Sequence, residues 1–278
     1  MGTLYLVATP IGNLQDITYR AVSVLAHAGL IAAEDTRQTQ KLLSHYHIQT
    51  PLISYHEHNK LARVDQILQA LERGDVALVS DAGTPALNDP GYELVRAVLH
   101  AGHSVSPIPG PSAPIAALVA SGLPTDTFLY LGYLPRKAVE RRRLLKEISS
   151  LPYTLIFLET PHRLVEALQD LQDVLGDRMI TVARELTKLH EEIYRASIGQ
   201  SLAHFSSQSP RGEITLVVAG KTVTEKWSEG QVRSAMRQRL VSGVPPAQVA
   251  GELATGSGWP RRELYRLVME IQAAEDGV

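Results

Sequence analysis

Cysteine is absent from the 278 residues, so the fold holds no disulfide and no thiolate metal site, a composition that suits the reducing cytosol. Charge of one sign is also lacking. The 27 Lys and Arg against 29 Asp and Glu leave a net charge of −2, which argues against coating nucleic acid through a general basic surface but leaves room for a local patch. No uncharged apolar stretch approaches the roughly 20 residues of a bilayer span. The N-terminal MGTLYLVATP has no basic leader and reads as a first strand, not a signal peptide. A soluble, cytoplasmic protein without a membrane partner is therefore expected. Aromatic residues make up only 5%, which leaves few rings for stacking on bases. Missing motifs narrow the chemistry further. The loop Asp81 to Gly91 is neither a P-loop nor a G-x-G-x-x-G turn, and no G-x-S-x-G elbow occurs, which disfavours acyl-enzyme hydrolysis. His56 and His58 lack a third ligand at useful spacing and an HExxH helix, so they read as loop residues and no metal is expected.

What is present begins with VALVSDAGTPALNDPG, Val76 to Gly91. Four apolar residues without alternation fit a strand covered on both faces, and the small and polar residues that follow lie where ligands bind in open α/β sheets, beyond a strand's carboxyl end. Asp81, Gly83 and Thr84 are candidates for function, whereas Asp89 and Gly91 read as the start of a helix near Tyr92. The first half repeats strand then helix: strands at 4–8, 30–33, 76–79 and 105–108, an extended 52–54, and helices on the faces of Ala21 and Leu25, Leu42 and Leu43, Ile67 and Leu71, and Leu94 and Val98. That is the pattern of a doubly wound parallel sheet. SGLPT, 121–125, marks a boundary. The second half repeats the style, with strands at 128–131, 153–158, 179–183 and 214–219, a basic helix over 139–148, and a helix presenting Leu164, Leu168, Leu171 and Leu175. After Ser228 only helical patterns remain. The expected divisions are 1–123 and 124–222 as two α/β domains meeting at a cleft, and 228–278 as a helical appendage whose helix-turn-helix look, with Arg261 and Arg262, is a weak pointer to nucleic acid.

Several polar clusters sit at strand ends: Glu34, Asp35, Thr36 and Arg37; Glu159, Thr160, Pro161, His162 and Arg163; Arg184, Glu185 and Lys188. For His162 and Arg163 a capping or ion-pair role competes with substrate contact. Arg136, Lys137, Arg141, Arg142, Arg143 and Lys146 form the densest positive patch in a slightly acidic chain. A solvated helix face is the ordinary reading of such a run; contact with RNA phosphates is the functional one.

Seven loops in order, LYLVATPIGNLQDIT, AAEDTRQT, SDAGTPALNDPG, PIPGPSA, ETPHR, RELTK and GEITLVV, carry a stronger signal than any one of them. Through them the chain resembles the ribosomal RNA small-subunit methyltransferase I family, within the tetrapyrrole methylase superfamily, over residues 3–220. The resemblance implies two α/β domains of the tetrapyrrole methylase (class III SAM methyltransferase) type with a small C-terminal helical region. It also implies S-adenosylmethionine (SAM) as donor, the ribose 2′-oxygen of a cytidine in the decoding region of 16S rRNA as acceptor, and a homodimer. Carried over by motif, donor contacts are Pro10, Asp81, Ala82, Gly83, Ser112, Ala113, Leu158, Glu159, Ala183, Arg184, Ile214 and Thr215. Candidates for activating the acceptor are Asp35, Arg37, Glu185 and Lys188, with Glu159 also at a strand end. Candidates for RNA contact are Arg136, Lys137, Arg141, Arg142, Arg143, His162 and Arg163. The superfamily's porphyrin-modifying members carry a G-x-G-P-G-D type loop after the first strand, where this chain has ATPIGN. That departure favours RNA over the alternatives of a tetrapyrrole-like small molecule or a protein side chain.

Overall fold

Four apolar side chains in succession, as in Val76–Val79, require cover on both sides of a sheet. The computed structural model, which describes residues 2–208, 210–222 and 227–275, supplies it. Strands β1 (Thr3–Val7), β2 (Leu30–Ala33), β3 (Leu52–Ser54), β4 (Val76–Val79) and β5 (Ser104–Ile108) pair in the order β3-β2-β4-β1-β5, every pair parallel. Alternate residues of β4 enter opposite cores, as the two-residue period of a strand dictates. Ala77 and Val79 join Ala21 and Leu25 of helix α1 (Tyr19–His27) and Leu42 and Leu43 of α2 (Thr36–His45). Val76 and Leu78 join Ile67 and Leu71 of α3 (Lys60–Leu71) and Leu94 and Val98 of α4 (Tyr92–His100). The expected cap of α1 forms: Thr18 accepts from the Ala21 N–H at 3.1 Å.

The second half keeps the α/β class but not the parallel style. After α5 (Ala113–Ser121) come β6 (Phe128–Tyr133), α6 (Ala138–Ile148), β7 (Thr154–Glu159), α7 (Leu164–Leu175), β8 (Met179–Arg184), β9 (Glu192–Ser197), α8 (Ile198–Ser207) and β10 (Ile214–Val218). Their sheet has the order β6-β7-β10-β8-β9, and only β6 with β7 is parallel. Strand β9 was not expected from the sequence. It follows β8 through a short turn, and a short turn can join only antiparallel neighbours. Helix α5 covers one face of this sheet, placing Ala117 and Leu118 against Ile156, Ala183 and Val217. Helices α6, α7 and α8 cover the other, where the four leucines of α7 are all buried, together with Leu145 and Phe205.

The chain forms two compact units, Met1–Gly220 and Lys221–Val278. In the second, α9 (Glu229–Val241), α10 (Pro246–Gly256) and α11 (Arg261–Glu275) enclose their own core of Val232, Met236, Val249, Leu253, Leu264, Val268 and Ile271. A capping box starts α9, with Ser228 accepting from the Gln231 N–H and Gln231 from the Ser228 N–H. No helix among the described residues is long and apolar enough to cross a membrane.

Candidate active site

Parallel strands bring their carboxyl ends to one edge of a sheet, so the loops after β1, β4 and β5 meet there. Thr9 and Gly83 exchange both backbone hydrogen bonds at 2.9 Å. The Thr9 hydroxyl donates to the Ser80 carbonyl, and the Thr84 hydroxyl to the Pro111 carbonyl, each at 3.3 Å. Gly83 lies at φ +80, where a side chain would be strained. Ala86 and Asn88, at φ 66 and 65, are held in the same sparsely populated region, as residues of functional loops often are. From the second sheet, the Tyr130 hydroxyl donates to Asn88 Oδ1 at 2.6 Å.

Facing these loops are the ends of β7 and β8 and the start of β10, which register Ile214 opposite both Glu159 and Arg184. Between the two sets lies a cleft of about 260 Å³. Ala82, Gly83, Ser112 and Ala113 form one wall; Leu158, Ala183, Ile214 and Thr215 form the other. Its charge is one-sided. Glu34, Asp81, Asp89, Glu159 and Glu213 line it, and among the described lining residues there is no lysine, arginine or histidine. Burial, and then the neighbouring Asp89 and Asp81, pushes the Glu34 carboxyl above its ordinary value. Burial does the same to Asp89, reinforced by Asp81 and opposed by a hydrogen bond from Ser80. Glu159 is also raised by burial, although Arg163 pairs with it at 3.1 Å from outside the lining. Burial pushes the Tyr130 hydroxyl up to about 12.

Ten of the residues expected at the donor site line the cleft: Asp81, Ala82, Gly83, Ser112, Ala113, Leu158, Glu159, Ala183, Ile214 and Thr215. Pro10 and Arg184 lie outside that lining. Pro10 faces a neighbouring groove while Ile11 enters the cleft, and Arg184 turns its guanidinium to Glu192 at 2.8 Å and the Arg211 carbonyl at 3.2 Å. Asp35 and Arg37 pair with each other at 2.7 Å, and the Arg37 hydrogen bonds hold the half-buried Asp35 carboxyl at about 2. Lys188 binds Glu185 at 2.8 Å and Glu213 at 3.1 Å, which holds Glu185 below the usual carboxylate range. Glu185 and Thr187 both have positive φ.

Asp89 corrects its expected role. Gly91, not Asp89, stands at the N-terminus of α4, which has no side-chain cap, and the Asp89 side chain belongs to the cleft. Tyr130, Tyr133 and Glu213 were missed altogether; their only sequence signal was proximity to strand ends. The expected RNA patch needs a larger correction. Arg141 is 2% exposed, because it falls on the same face of α6 as Leu145 and Ile148, four and seven positions on. Its Nε donates to Asp170 Oδ2 at 2.6 Å, and Arg142 Nε donates to Asp170 Oδ1 at 2.5 Å. Arg163 is half-buried and also committed to the fold, donating to the Leu134 carbonyl at 2.6 Å and pairing with Glu159 at 3.1 Å. Arg141 and Arg163 are therefore structural cations. Arg136, Lys137, Arg143, Lys146 and His162 are exposed.

Residues 3–201 match the family model of the Tetrapyrrole (Corrin/Porphyrin) Methylases. A Synechocystis protein named Ribosomal RNA small subunit methyltransferase I is 49% identical over 98% of this chain and 99% of its own length. A Thermotoga maritima protein of the same name is 46% identical over 80% of this chain and 100% of its own. Among solved structures, that of the methyltransferase CobJ is similar in fold, with a TM-score of 0.61 at 18% identity over 80% of this chain and 95% of the other. On these matches the chain belongs to the tetrapyrrole methylase family and, within it, to the ribosomal RNA small subunit methyltransferase I group.

Proposed function

We propose that this chain methylates the ribose 2′-oxygen of a cytidine in the decoding region of 16S rRNA, with S-adenosylmethionine as donor, acting on the small ribosomal subunit in the cytoplasm as a homodimer. The observation that carries the donor is the cleft's charge: five carboxylates and, among its described lining residues, no basic side chain. Such a lining attracts a ligand with cationic centres and repels one bearing phosphates. SAM fits it, because its sulfonium and ammonium outweigh its one carboxylate and leave it net cationic, and when bound it supplies a methyl group already activated by the positive sulfur. The left-handed turn at Gly83 and the small side chains Ala82, Ala113 and Ala183 would let backbone groups approach the donor closely. Asp81, Ser112, Ile214 and Thr215 would complete its contacts.

The chain's remaining task is to hold the acceptor hydroxyl in line and to take its proton. Asp35 and Glu185 are poor proton acceptors at neutral pH, since the cations beside them keep their carboxyls low. Glu34 and Asp89, raised and facing the cleft, are better matched to that role. Arg37 and Lys188 remain the cations that could steady the developing alkoxide. The test is incubation with labelled SAM and small subunits lacking the modification. Label on the ribose is expected. No label there, or label on a tetrapyrrole or a protein instead, would reject the assignment.

A further inference from the structure

A cleft with carboxylates and no cation among its described lining residues disfavours the phosphates of an RNA backbone, which points to cations outside it for a grip on the acceptor strand. The structure offers such a place directly alongside. A groove of about 280 Å³ is lined by Thr9, Pro10, Gln38, Thr39, Lys41 and Asp81, among others. Asp81 is the one described residue that lines both groove and cleft, so it marks the seam between them. The floor is polar, with Thr9 and Ser80 each 3% exposed and Thr39 5%. The wall is α2, whose capped N-terminus places Gln38 and Lys41 three residues apart on neighbouring turns. Lys41 Nζ donates to Gln38 Oε1 at 2.9 Å, which orients both groups and leaves the amide N–H donors and two ammonium protons for a ligand. Arg37, one turn earlier on the same side and 87% exposed in its side chain, extends the positive line away from the groove.

We infer that this groove receives the acceptor ribonucleotide, with Lys41 holding a backbone phosphate, Gln38 meeting the edge of the base, and Asp81 accepting a hydrogen bond from a ribose hydroxyl at the seam. The inference rests on the RNA methylation proposed above. Its physical basis is polarity. A nucleotide presents an anion at one end and hydroxyl donors on its sugar, and the groove presents an ammonium on its helical wall and a carboxylate where it adjoins the donor cleft. Phosphate contacts fix register while amide groups read base edges. Lys41 and Gln38 are positioning residues in this scheme and take no part in bond making.

The experiment compares wild type, Lys41→Ala, Lys41→Arg, Gln38→Ala and a control, Arg96→Ala, on the distant helix α4. A short oligoribonucleotide is titrated by fluorescence anisotropy over a range of salt, SAM affinity is measured by calorimetry, and KM is measured on small subunits lacking the modification. Lys41→Ala should weaken RNA binding by about tenfold and flatten the slope of log affinity against log salt by about 0.7, the share of one single-strand phosphate. Lys41→Arg should restore most of the loss, and Gln38→Ala should raise KM for the subunit. SAM affinity should hold in all of them. RNA affinity and salt slope in Lys41→Ala equal to those of wild type would overturn the groove, even with ribose methylation intact. Failure of wild type to label RNA would instead sink the methylation proposal, whereas RNA affinity that still depended on Lys41 would keep the groove as an RNA site. Wild type that binds no oligoribonucleotide overturns both.

Discussion

Two charged regions of the α/β unit make a useful pair: the cleft, whose lining gathers five carboxylates of which, among the described residues, only Glu159 and Glu213 pair with cations from outside it, and helix α6, where cations gather with a carboxylate. On α6, Asp170 sits between Arg141 and Arg142 and is itself 2% exposed. In the cleft, Glu34, Asp81 and Asp89 face one another, and two of them are pushed towards their neutral forms. The difference teaches where to look for ligand chemistry. Charge already neutralised inside the fold is committed to holding it, whereas like charges left together raise a cost that a ligand of opposite sign can relieve.

The largest expected effect breaks the structural side of the pair. Asp170→Ala should cost about 3–5 kcal/mol in a denaturant titration, because it removes the close partner of the buried Arg141 and leaves only the exposed Glu166 at 3.9 Å. Replacing Arg141 and Asp170 together by Met and Leu should recover most of that. A loss below about 1 kcal/mol for the single change would remove the contrast with the cleft.

On the ligand side, Gly83→Val forces a β-branched residue into the conformation at φ +80, at a strain of about 1–3 kcal/mol. Its SAM affinity, and that of Asp81→Ala, should fall at least about tenfold in calorimetry while circular dichroism stays native, a loss equivalent to about 1.4 kcal/mol. Unchanged affinity in both would take the loop out of the site.

A smaller effect follows from pH. A cationic ligand favours ionised carboxylates, so SAM affinity should fall severalfold as pH drops through the raised values of Glu34 and Asp89, which lie above their ordinary 4.5 and 3.8. Glu34→Gln should flatten that profile. Stability of the ligand-free protein should move the other way. Between the ordinary and the raised values the folded state binds more protons than the unfolded one, so these two groups add stability as pH falls through that window. A SAM affinity independent of pH from neutrality down to about 5 would contradict the charge argument. Least of all, Arg143→Ala should change stability by no more than about 0.5 kcal/mol, since its partner Glu147 is an exposed neighbour one turn away. A clear drop in RNA affinity in that variant would assign the outer face of α6 to the RNA surface.

Much of the first sheet was legible, because its strands are continuous apolar runs and its helices carry regular buried faces: Leu30–Ala33 and Val76–Val79 are strands with the expected bounds. The second sheet was legible as α/β but not in direction. Apolar runs such as Ile214–Val218 look the same whether their neighbours run parallel or antiparallel. Strand β9, EIYRAS, is mixed polar and apolar with no clean alternation, and it is a strand because β8 pairs with it along six residues. Site residues were legible where a small-residue motif marks a close approach, as at Ala82 and Gly83 or Ser112 and Ala113. They were not where the role depends on who is nearby. Arg141 and Arg143 look equivalent in sequence, yet one meets Asp170, 29 positions away, and the other faces solvent.

By itself the sequence determined the periods, the strand ends and the motifs that place this chain in its family, since these depend on residues within a few positions of one another. Tertiary structure alone decided the direction of the second sheet, the burial of Arg141 and the internal pairing of Arg163, the recruitment of Asp89 into the cleft beside Glu34, and the second groove that meets the cleft at Asp81. Each of these turns on a contact between distant segments. The free energy of a charge depends on its burial and its partners, and neither is set by the residue that carries it.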